Sequence, residues 1–524
     1  MPAHPPANPE SARADSVPFT PTHHYLSLPR LCYQPAQPQA VAQPQWVAFN
    51  QTLAQTLGLP EQLWLSDEGA SLFSGSTVPD WAKPVATAYA GHQFGHFNPQ
   101  LGDGRALLLC ELQGADGVLY EVQLKGSGVT PYSRSGDGRS PLGPVLREYI
   151  VSEFMHRVGV PTTRALAAVA SGEAVYREQA EPGAVFTRVA RSHLRVGSFQ
   201  YVSVRGDFDA LAQLADFAIQ RHFPTLAELS DDDSSACLQS EGQGNRYLAL
   251  LEQVIEQQAL LVSQWMSLGF IHGVMNTDNT SISGDTIDYG PCAFMESYRA
   301  DQVFSFIDKQ GRYAYNQQPG IAHWNMARFA EALLPLIDND KQAAIELATA
   351  RVNEIPQKIE AHWVRLMGQK LGIDAATLAD KPLIEEFLAI LQAQKIDFTL
   401  GFRRLSEEVS NQSQAQNIYR GAQPQQPSQL DFATWRQRWQ QRLQTETATL
   451  GDIKARMNAL NPLRIPRNHL IQKVIDAAYS EGDLKPLNHL LAALSEPYSE
   501  DTDYQDYARP AEDSEQVSTT FCGT

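Results

Sequence analysis

The sequence predicts an α+β fold in two lobes, the first β-rich and the second helical, with additional helices towards the C-terminus. Three observations predict it. Alternating apolar segments broken by glycine turns occupy residues 102–190, apolar residues recur at helical spacing from 245 onward, and a polar loop at 272–288 interrupts the second pattern. With 524 residues and 43% hydrophobic content, the chain can fill two or more packed cores.

From Gly102 to Lys125 the chain reads strand, turn, strand: LGDGRALLLCEL, the turn QGADG, then YEVQLKG with alternating apolar positions. Pro144 is expected to open the helix PVLREYIVSEFMHRVG. On it Val145, Tyr149, Phe154 and Val158 fall near helical spacing, Glu148 lies in the first turns and Gly159 supplies a C-terminal stop. Short strands follow in ALAAVASGEAVYRE and AVFTRVA. A long amphipathic helix is expected at about 245–268, carrying Leu250, Leu251, Val254, Leu261 and Trp265 and ended by Gly269. Further helical patterns lie in MARFAEALLPLI and around 384–394, 435–443 and 469–478, and the Gln- and Pro-rich stretch 411–429 reads as an internal loop. The lobes are expected at 21–205 and 206–495. A flexible N-terminus, 1–20, and an acidic tail, 496–524, expected to be disordered, frame them.

Composition removes several function classes. A net charge of −18 argues against a general nucleic-acid or anionic-membrane binder, which needs clustered Lys and Arg. No apolar run reaches the roughly 18 residues that span a bilayer, and the first residues lack a signal-peptide pattern, so the cytoplasm is the expected compartment. Cys32, Cys110, Cys237, Cys292 and Cys522 show no C-x-x-C spacing, hence neither a zinc site nor a disulfide framework. Cys522 differs in standing third from the end of a polar tail, where an exposed thiol is either redox-active or simply inert.

Residues 272–288, HGVMNTDNTSISGDTID, are laid out like the catalytic loop and metal-binding aspartate of a protein kinase. His272 stands at the loop histidine, Asn279 at the asparagine and Asp288 of Asp288-Tyr289-Gly290 at the metal aspartate. Val274, however, stands where the catalytic aspartate belongs. Magnesium takes oxygen ligands, so Asn279 and Asp288 form the candidate metal pair, with TSISGDTI between them read as a hairpin. Asp278 is a carboxylate able to reach the same ligand and to act as general base in place of Val274. An Asx turn is the competing reading of Asn-Thr-Asp-Asn, and His272 reads as a structural loop histidine.

Lys125 at a strand end and Glu148 on the following helix have the order of the kinase lysine and its glutamate partner, against the alternative of a surface lysine and an ordinary helix glutamate. Gly102-Asp103-Gly104-Arg105 and Gly136-Asp137-Gly138-Arg139 are either phosphate-covering loops or turns that need glycine for positive φ. Arg188 and Arg195 offer planar forks for a triphosphate, or a solvated basic patch. Their odd spacing requires a turn at Ser192-His193 if they are to converge. Taken in this order, the motifs make the expected architecture protein-kinase-like and bilobal.

On these residues the chain resembles the selenoprotein O family of protein adenylyltransferases over roughly residues 20–495. The markers are YAGHQFGHFNPQLGDGR at 89–105, QLKGSGVTPYSRSGDGRSPLGPVLREYIVSE at 123–153, TRVARSHLRVGSFQY at 187–201, HGVMNTDNTSISGDTIDYGP at 272–291 and NPLRIPRN at 461–468. The resemblance implies nucleotide contacts at Gly102, Gly104, Arg105, Lys125, Asp137, Gly138, Arg188, Arg195 and Asp288, a base at Asp278 and metal ligands at Asn279 and Asp288. It also implies ATP bound in the opposite sense to kinases with Mg2+ or Mn2+, and AMP transfer to Ser, Thr and Tyr hydroxyls of other proteins. UTP as donor, a conventional phosphotransferase and a non-catalytic nucleotide-binding scaffold are the alternatives. Cys522 matches the C-terminal cysteine or selenocysteine of the family, whereas Asp308 stands where some relatives carry a further cysteine, leaving Cys292 or a partner thiol as its counterpart.

Overall fold

The computed structural model describes residues 19–64, 66–228, 245–409 and 432–521. Alternating segments of the first half pair into an eight-stranded sheet built from β1 (Tyr33–Pro35), β2 (Gln45–Phe49), β3 (Val85–Thr87), β6 (Ala106–Gln113), β7 (Leu119–Lys125), β8 (Ser140–Pro141), β9 (Arg164–Tyr176) and β10 (Ala180–Ala190). The order is β1-β3-β6-β7-β10-β9-β2, with β8 paired to β10 and all pairings antiparallel. A separate hairpin, β4 (Gly91–Gln93) and β5 (His96–Asn98), projects between β3 and β6 in sequence.

Period-two alternation divides the sheet into two faces. On β7, Val122 and Leu124 enter a core covered by α1 (Gln51–Thr56) and α2 (Asp67–Phe73). Glu121, Gln123 and Lys125 therefore face the other way, towards α3 (Leu142–Arg157), which packs across β9 and β10 and carries Glu148. The helix begins two residues before Pro144 and is buried on nearly every side. The reason is a second layer: α14 (Asn468–Ser480) and α15 (Lys485–Ser495) return from the C-terminus to cover its outer surface. Tyr479 joins the layers, its hydroxyl accepting from Gly143 N at 2.9 Å and donating to Glu181 Oε2 at 2.7 Å.

Helices α4 (Val196–Ser203), α5 (Phe208–His222), α6 (Arg246–Leu268), α7 (Gln318–Ile337) and α8 (Lys341–Val352) continue the same core into the second half. Gly269, left-handed at φ 70°, stops α6 where its sequence placed the stop. The chain then enters β11 (Phe270–Ile271), which pairs with β12 (Ala293–Phe294), so 272–292 is a polar excursion pinched at its base. No hairpin ladder forms inside it, contrary to the reading of TSISGDTI. Its arms bridge outward instead, Ser281 to Arg195 at the cap of α4 and Thr286 to Thr162 just before β9.

A second core gathers α9 (Ile355–Lys370), α10 (Lys381–Ala393), α11 (Phe398–Leu405), α12 (Phe432–Leu443) and α13 (Leu450–Leu460) around Trp435 and Trp439. No described helix is long and apolar enough to cross a membrane. The Gln-rich stretch 411–429 lies outside the described residues, as do residues 1–18 of the expected flexible N-terminus. The expectation of a disordered tail is corrected for residues 496–521. Buried arginines capture its carbonyls: Arg464 donates to Tyr504 O, Glu496 O and Asp501 O at 3.1, 3.2 and 2.6 Å, and Arg467 donates to Ala508 O at 3.1 Å. Thr520 then bridges Ser305. Composition alone hides this, since the stabilising groups belong to NPLRIPRN rather than to the tail.

Lys370 is buried within the second core, its Nζ 4.7 Å from the Phe402 ring, and no carboxylate pairs with it among the described residues. Desolvation pushes its pKa down to about 7. The unfolded chain therefore binds the proton more tightly, and the penalty on folding is full below pH 7 and fades as pH rises towards the unfolded value. Lys370→Met should raise thermal stability at pH 6 by the equivalent of roughly 2–4 kcal/mol, with the gain shrinking by pH 10. A pH-independent gain in scanning calorimetry would contradict the assignment.

Candidate functional site

Between the sheet and the 272–292 excursion lies a cavity of about 470 Å³. Gly102, Gly104, Arg105, Lys125, Asp137, Gly138, Arg188, Arg195, Asp278, Asn279 and Asp288 all line it. Glu148 stands behind Lys125, and Cys522 lies outside the described residues. Cys292 is buried.

Register brings the cations together. Arg188 on β10 sits opposite Gln123 and two pairs from Lys125, so both cations leave the sheet on the face that meets α3. The chain bends after Ala190, and Arg195 becomes the N-cap of α4, pointing back into the same cavity. Lys125 Nζ lies 2.6 Å from Glu148 Oε2 and 2.8 Å from Asp288 Oδ1. Arg188 chelates Glu148 Oε1 through Nε, at 2.9 Å, and Nη2, and reaches Asp288 Oδ1 at 2.7 Å. Arg195 Nη1 completes the cage at 3.2 Å from Asp288 Oδ2, while its guanidinium lies 4.6 Å from the Tyr89 ring centroid.

Burial opposes ionisation of Asp288, but Lys125, Arg188 and Arg195 outweigh it and hold the carboxylate well below the usual range. Glu148 follows the same pattern: burial raises its pKa, and Arg188 and Lys125 bring the net shift downward. Two buried arginines and the half-buried Lys125 face the buried Glu148 and the half-buried Asp288, and Asp103, whose Oδ1 is 3.8 Å from Arg195, balances the third cation. Arg105, Arg134, Arg139 and Arg177 also line the cavity and outnumber Asp137 and Asp278, so it favours an anion. Backbone strain marks the same place. Four non-glycine residues take positive φ among the described residues, and three of them, Phe94, Arg134 and Asp288, line the cavity.

The glycine segments form layered turns. Thr130 Oγ1 donates to Asp103 O at 2.6 Å and Ser133 Oγ donates to Gly104 O, laying 130–133 over 102–104. A Cβ at Gly102 would sit 2.3 Å from Tyr132 Cγ, and one at Gly138 would sit 2.0 Å from Gly128 O. Both glycines are thus required by protein packing as well as by positive φ. Asp137 is clamped by Arg177 at 2.9 and 3.1 Å, which fixes the outer turn at the cavity mouth.

Asp278 occupies a short helical turn, Thr277–Asn279. Its Oδ2 accepts from Gln93 Nε2 at 3.2 Å, whereas Oδ1 is buried without a hydrogen-bond partner. Burial pushes its pKa up to about 6 against the Gln93 hydrogen bond and the charge of Arg195. Asn279 Nδ2 donates to Val274 O at 3.0 Å, leaving its carbonyl oxygen for a ligand. Val274 is buried at the cavity wall and His272 is wholly buried, its Nε2 2.9 Å from Ile287 O, a structural tie across the excursion. Sequence reading missed Asp103, Gln93 and Arg177. Asp103 and Gln93 lay inside quoted motifs, but their roles depend on partners more than 80 residues distant, Gln93 on Asp278 and Asp103 on Arg195.

The family described as protein adenylyltransferase SelO matches residues 17–495. Similar curated proteins are named protein nucleotidyltransferase YdiU. That of Bradyrhizobium sp. (strain ORS 278) is 50% identical over 510 residues, covering 97% of this chain and 100% of the relative. That of Rhizobium etli (strain CIAT 652) is 46% identical over 509 residues, covering 97% and 98%. The Rhizobium meliloti (strain 1021) protein is 47% identical over 500 residues, covering 95% and 98%.

Glu148→Gln would leave Lys125 and Arg188 sharing Asp288 alone. Urea unfolding should show a loss of about 3–5 kcal/mol, as for removal of one member of a buried ion cluster. A loss below about 1 kcal/mol would show that Asp288 neutralises both cations unaided.

Proposed function

The chain belongs to the SelO family of protein adenylyltransferases and is a protein nucleotidyltransferase, and from that premise we propose that it moves AMP from ATP to Ser, Thr or Tyr hydroxyls of other proteins. The observation that carries this reading is the separation of charge in the cavity. Lys125, Arg188 and Arg195 converge at its depth on Asp288, while the buried, half-unpaired carboxylate of Asp278 stands beside the apolar Val274. A kinase would place its base at Val274, so the displaced base and the surplus arginine fit an ATP turned end for end. The γ-phosphate would enter the cation cage and the α-phosphate would face Asp278.

In that arrangement Asp278, oriented by Gln93, accepts the proton of the acceptor hydroxyl as its oxygen bonds to the α-phosphorus. The bond from the α-phosphorus to the bridging oxygen breaks, and pyrophosphate leaves with its charge stabilised by Lys125, Arg188 and Arg195. Glu148 keeps the first two of these aimed. Arg105 and the turns at 102–104 and 136–138 would border the nucleotide at the cavity mouth.

The donor set fits Mg2+ or Mn2+: Asp288 and the Asn279 carbonyl are oxygen ligands, and magnesium sites commonly combine one or two carboxylates with phosphate oxygens and water. When bound, the ion supplies neutralisation of phosphate charge. Asp288 can serve it only by loosening its grip on the cations, which the incoming phosphates then take over. The same order of Lys125, Glu148, Asn279 and Asp288 supports a kinase-like bilobal fold.

With ATP labelled at the α-phosphorus and whole lysate as acceptor, Asp278→Asn should lower protein labelling by about 10²–10⁴-fold while calorimetric ATP affinity is retained. Asp288→Ala should abolish metal-dependent ATP binding. Retained labelling in either variant would remove these residues from the reaction, and ATP binding without any labelling would make the protein a scaffold. Substituting labelled UTP in the same assay identifies the preferred base.

A further inference from the structure

Beside the nucleotide cavity lies a second, smaller hollow of about 280 Å³, and Phe94 and Ile307 line both. One wall is the turn of the β4–β5 hairpin. The other is the loop 306–312. Both are tied to Asn276, two residues before Asp278: Phe94 N donates to Asn276 Oδ1 at 3.2 Å, and Tyr313 Oη donates to the same oxygen at 2.5 Å. Gln93, adjacent to Phe94, holds Asp278 itself. The hollow is therefore built in fixed register with the reacting carboxylate.

Its charge is one-sided. Lys309, Arg312 and His96 contribute to the lining, and the lone carboxylate there, Asp308, is spent on the backbone N–H groups of Arg312 and Tyr313 at 2.9 and 2.7 Å. Arg312 pairs with no carboxylate among the described residues. Its guanidinium is held 5.0 Å from the Trp324 ring centroid and 5.7 Å from that of Tyr313, and its Nε is buried and unsatisfied. A planar cation held by two rings and lacking a counter-ion is prepared for a carboxylate. The volume suits one or two side chains rather than a whole small-molecule ligand. Exposed Phe306, next to Ile307 of the lining, carries Lys309 Nζ 3.7 Å from its ring centroid.

We propose that this hollow is the acceptor-side subsite, which takes an Asp or Glu side chain lying within two residues of the hydroxyl to be modified. The proposal rests on the adenylyl-transfer reading above. An extended peptide advances about 3.4 Å per residue, so an acceptor hydroxyl at Asp278 places a neighbouring side chain past Gln93 and against the Phe94 wall. Acidic segments are selected, and segments with Lys or Arg at that position are rejected by Lys309 and Arg312.

Fluorescein-labelled peptides with a single serine, carrying Asp, Asn or Lys at each position up to two residues on either side, test this by anisotropy. They are titrated into the full-length protein with a non-hydrolysable ATP analogue present. We expect the best Asp peptide to bind about tenfold more tightly than its Lys counterpart. Arg312→Gln and, separately, the surface change Lys309→Glu should each erase that preference with ATP affinity unchanged. Equal binding of Asp and Lys peptides, or a preference that survives both substitutions, overturns the subsite. So does a parallel loss of ATP affinity in Arg312→Gln, which would put the nucleotide in the hollow. Failure of the transfer reading is distinguishable: an Asp peptide that binds selectively yet takes no α-label from ATP sinks the reaction and leaves the subsite standing.

Discussion

Everything at the centre of this protein answers to one electrostatic constraint: Asp288 must help neutralise three cations, two of them fully buried, delivered by separate elements. Lys125 comes from the end of β7, Arg188 from the neighbouring strand and Arg195 from the cap of α4. Burying any of them unpaired costs several kcal/mol. Glu148 shares the load from α3, which packs on the sheet on one side and against α14 and α15 on the other. Asp288 meets the geometry at φ 64°, a backbone conformation that a non-glycine residue adopts only when its surroundings impose it.

That arrangement has a chemical consequence. On the proposed reading, the carboxylate caged by cations holds the place of a phosphate group until a nucleotide arrives. Asp278 lies outside the cage, with one oxygen unpaired and the other held by the hairpin turn. In the function we propose, the two aspartates divide the work: Asp288 serves the phosphates and Asp278 the acceptor. The hairpin at Gln93 and Phe94 joins the second of these to the hollow that we assign to the acceptor chain.

Much of this was legible in the sequence wherever chemistry is local. The alternation of YEVQLKG gave β7 its two faces, Gly269 gave the end of α6, and the Asp278, Asn279 and Asp288 spacing marked the excursion. The kinase-like order of Lys125 and Glu148 anticipated an ion pair that the structure shows at 2.6 Å. What escaped depends on distant partners. Asp103 and Gln93 act through residues far along the chain, the arms of TSISGDTI pair outward rather than with each other, and the acidic tail is ordered by Arg464 and Arg467, whose guanidiniums seek its carbonyls. Local composition carries no trace of such contacts.

The measurement that bears most directly on the account follows phosphorus. Purified protein is incubated with lysate, Mg2+ or Mn2+, and ATP labelled at either the α- or the γ-position, and protein-bound label is counted. An inward-facing γ-phosphate in the Asp288 cage and an α-phosphate at Asp278 require label from the α-position alone. Label from the γ-position alone would mean that ATP binds as in a kinase, and the division of labour between the two aspartates would fall.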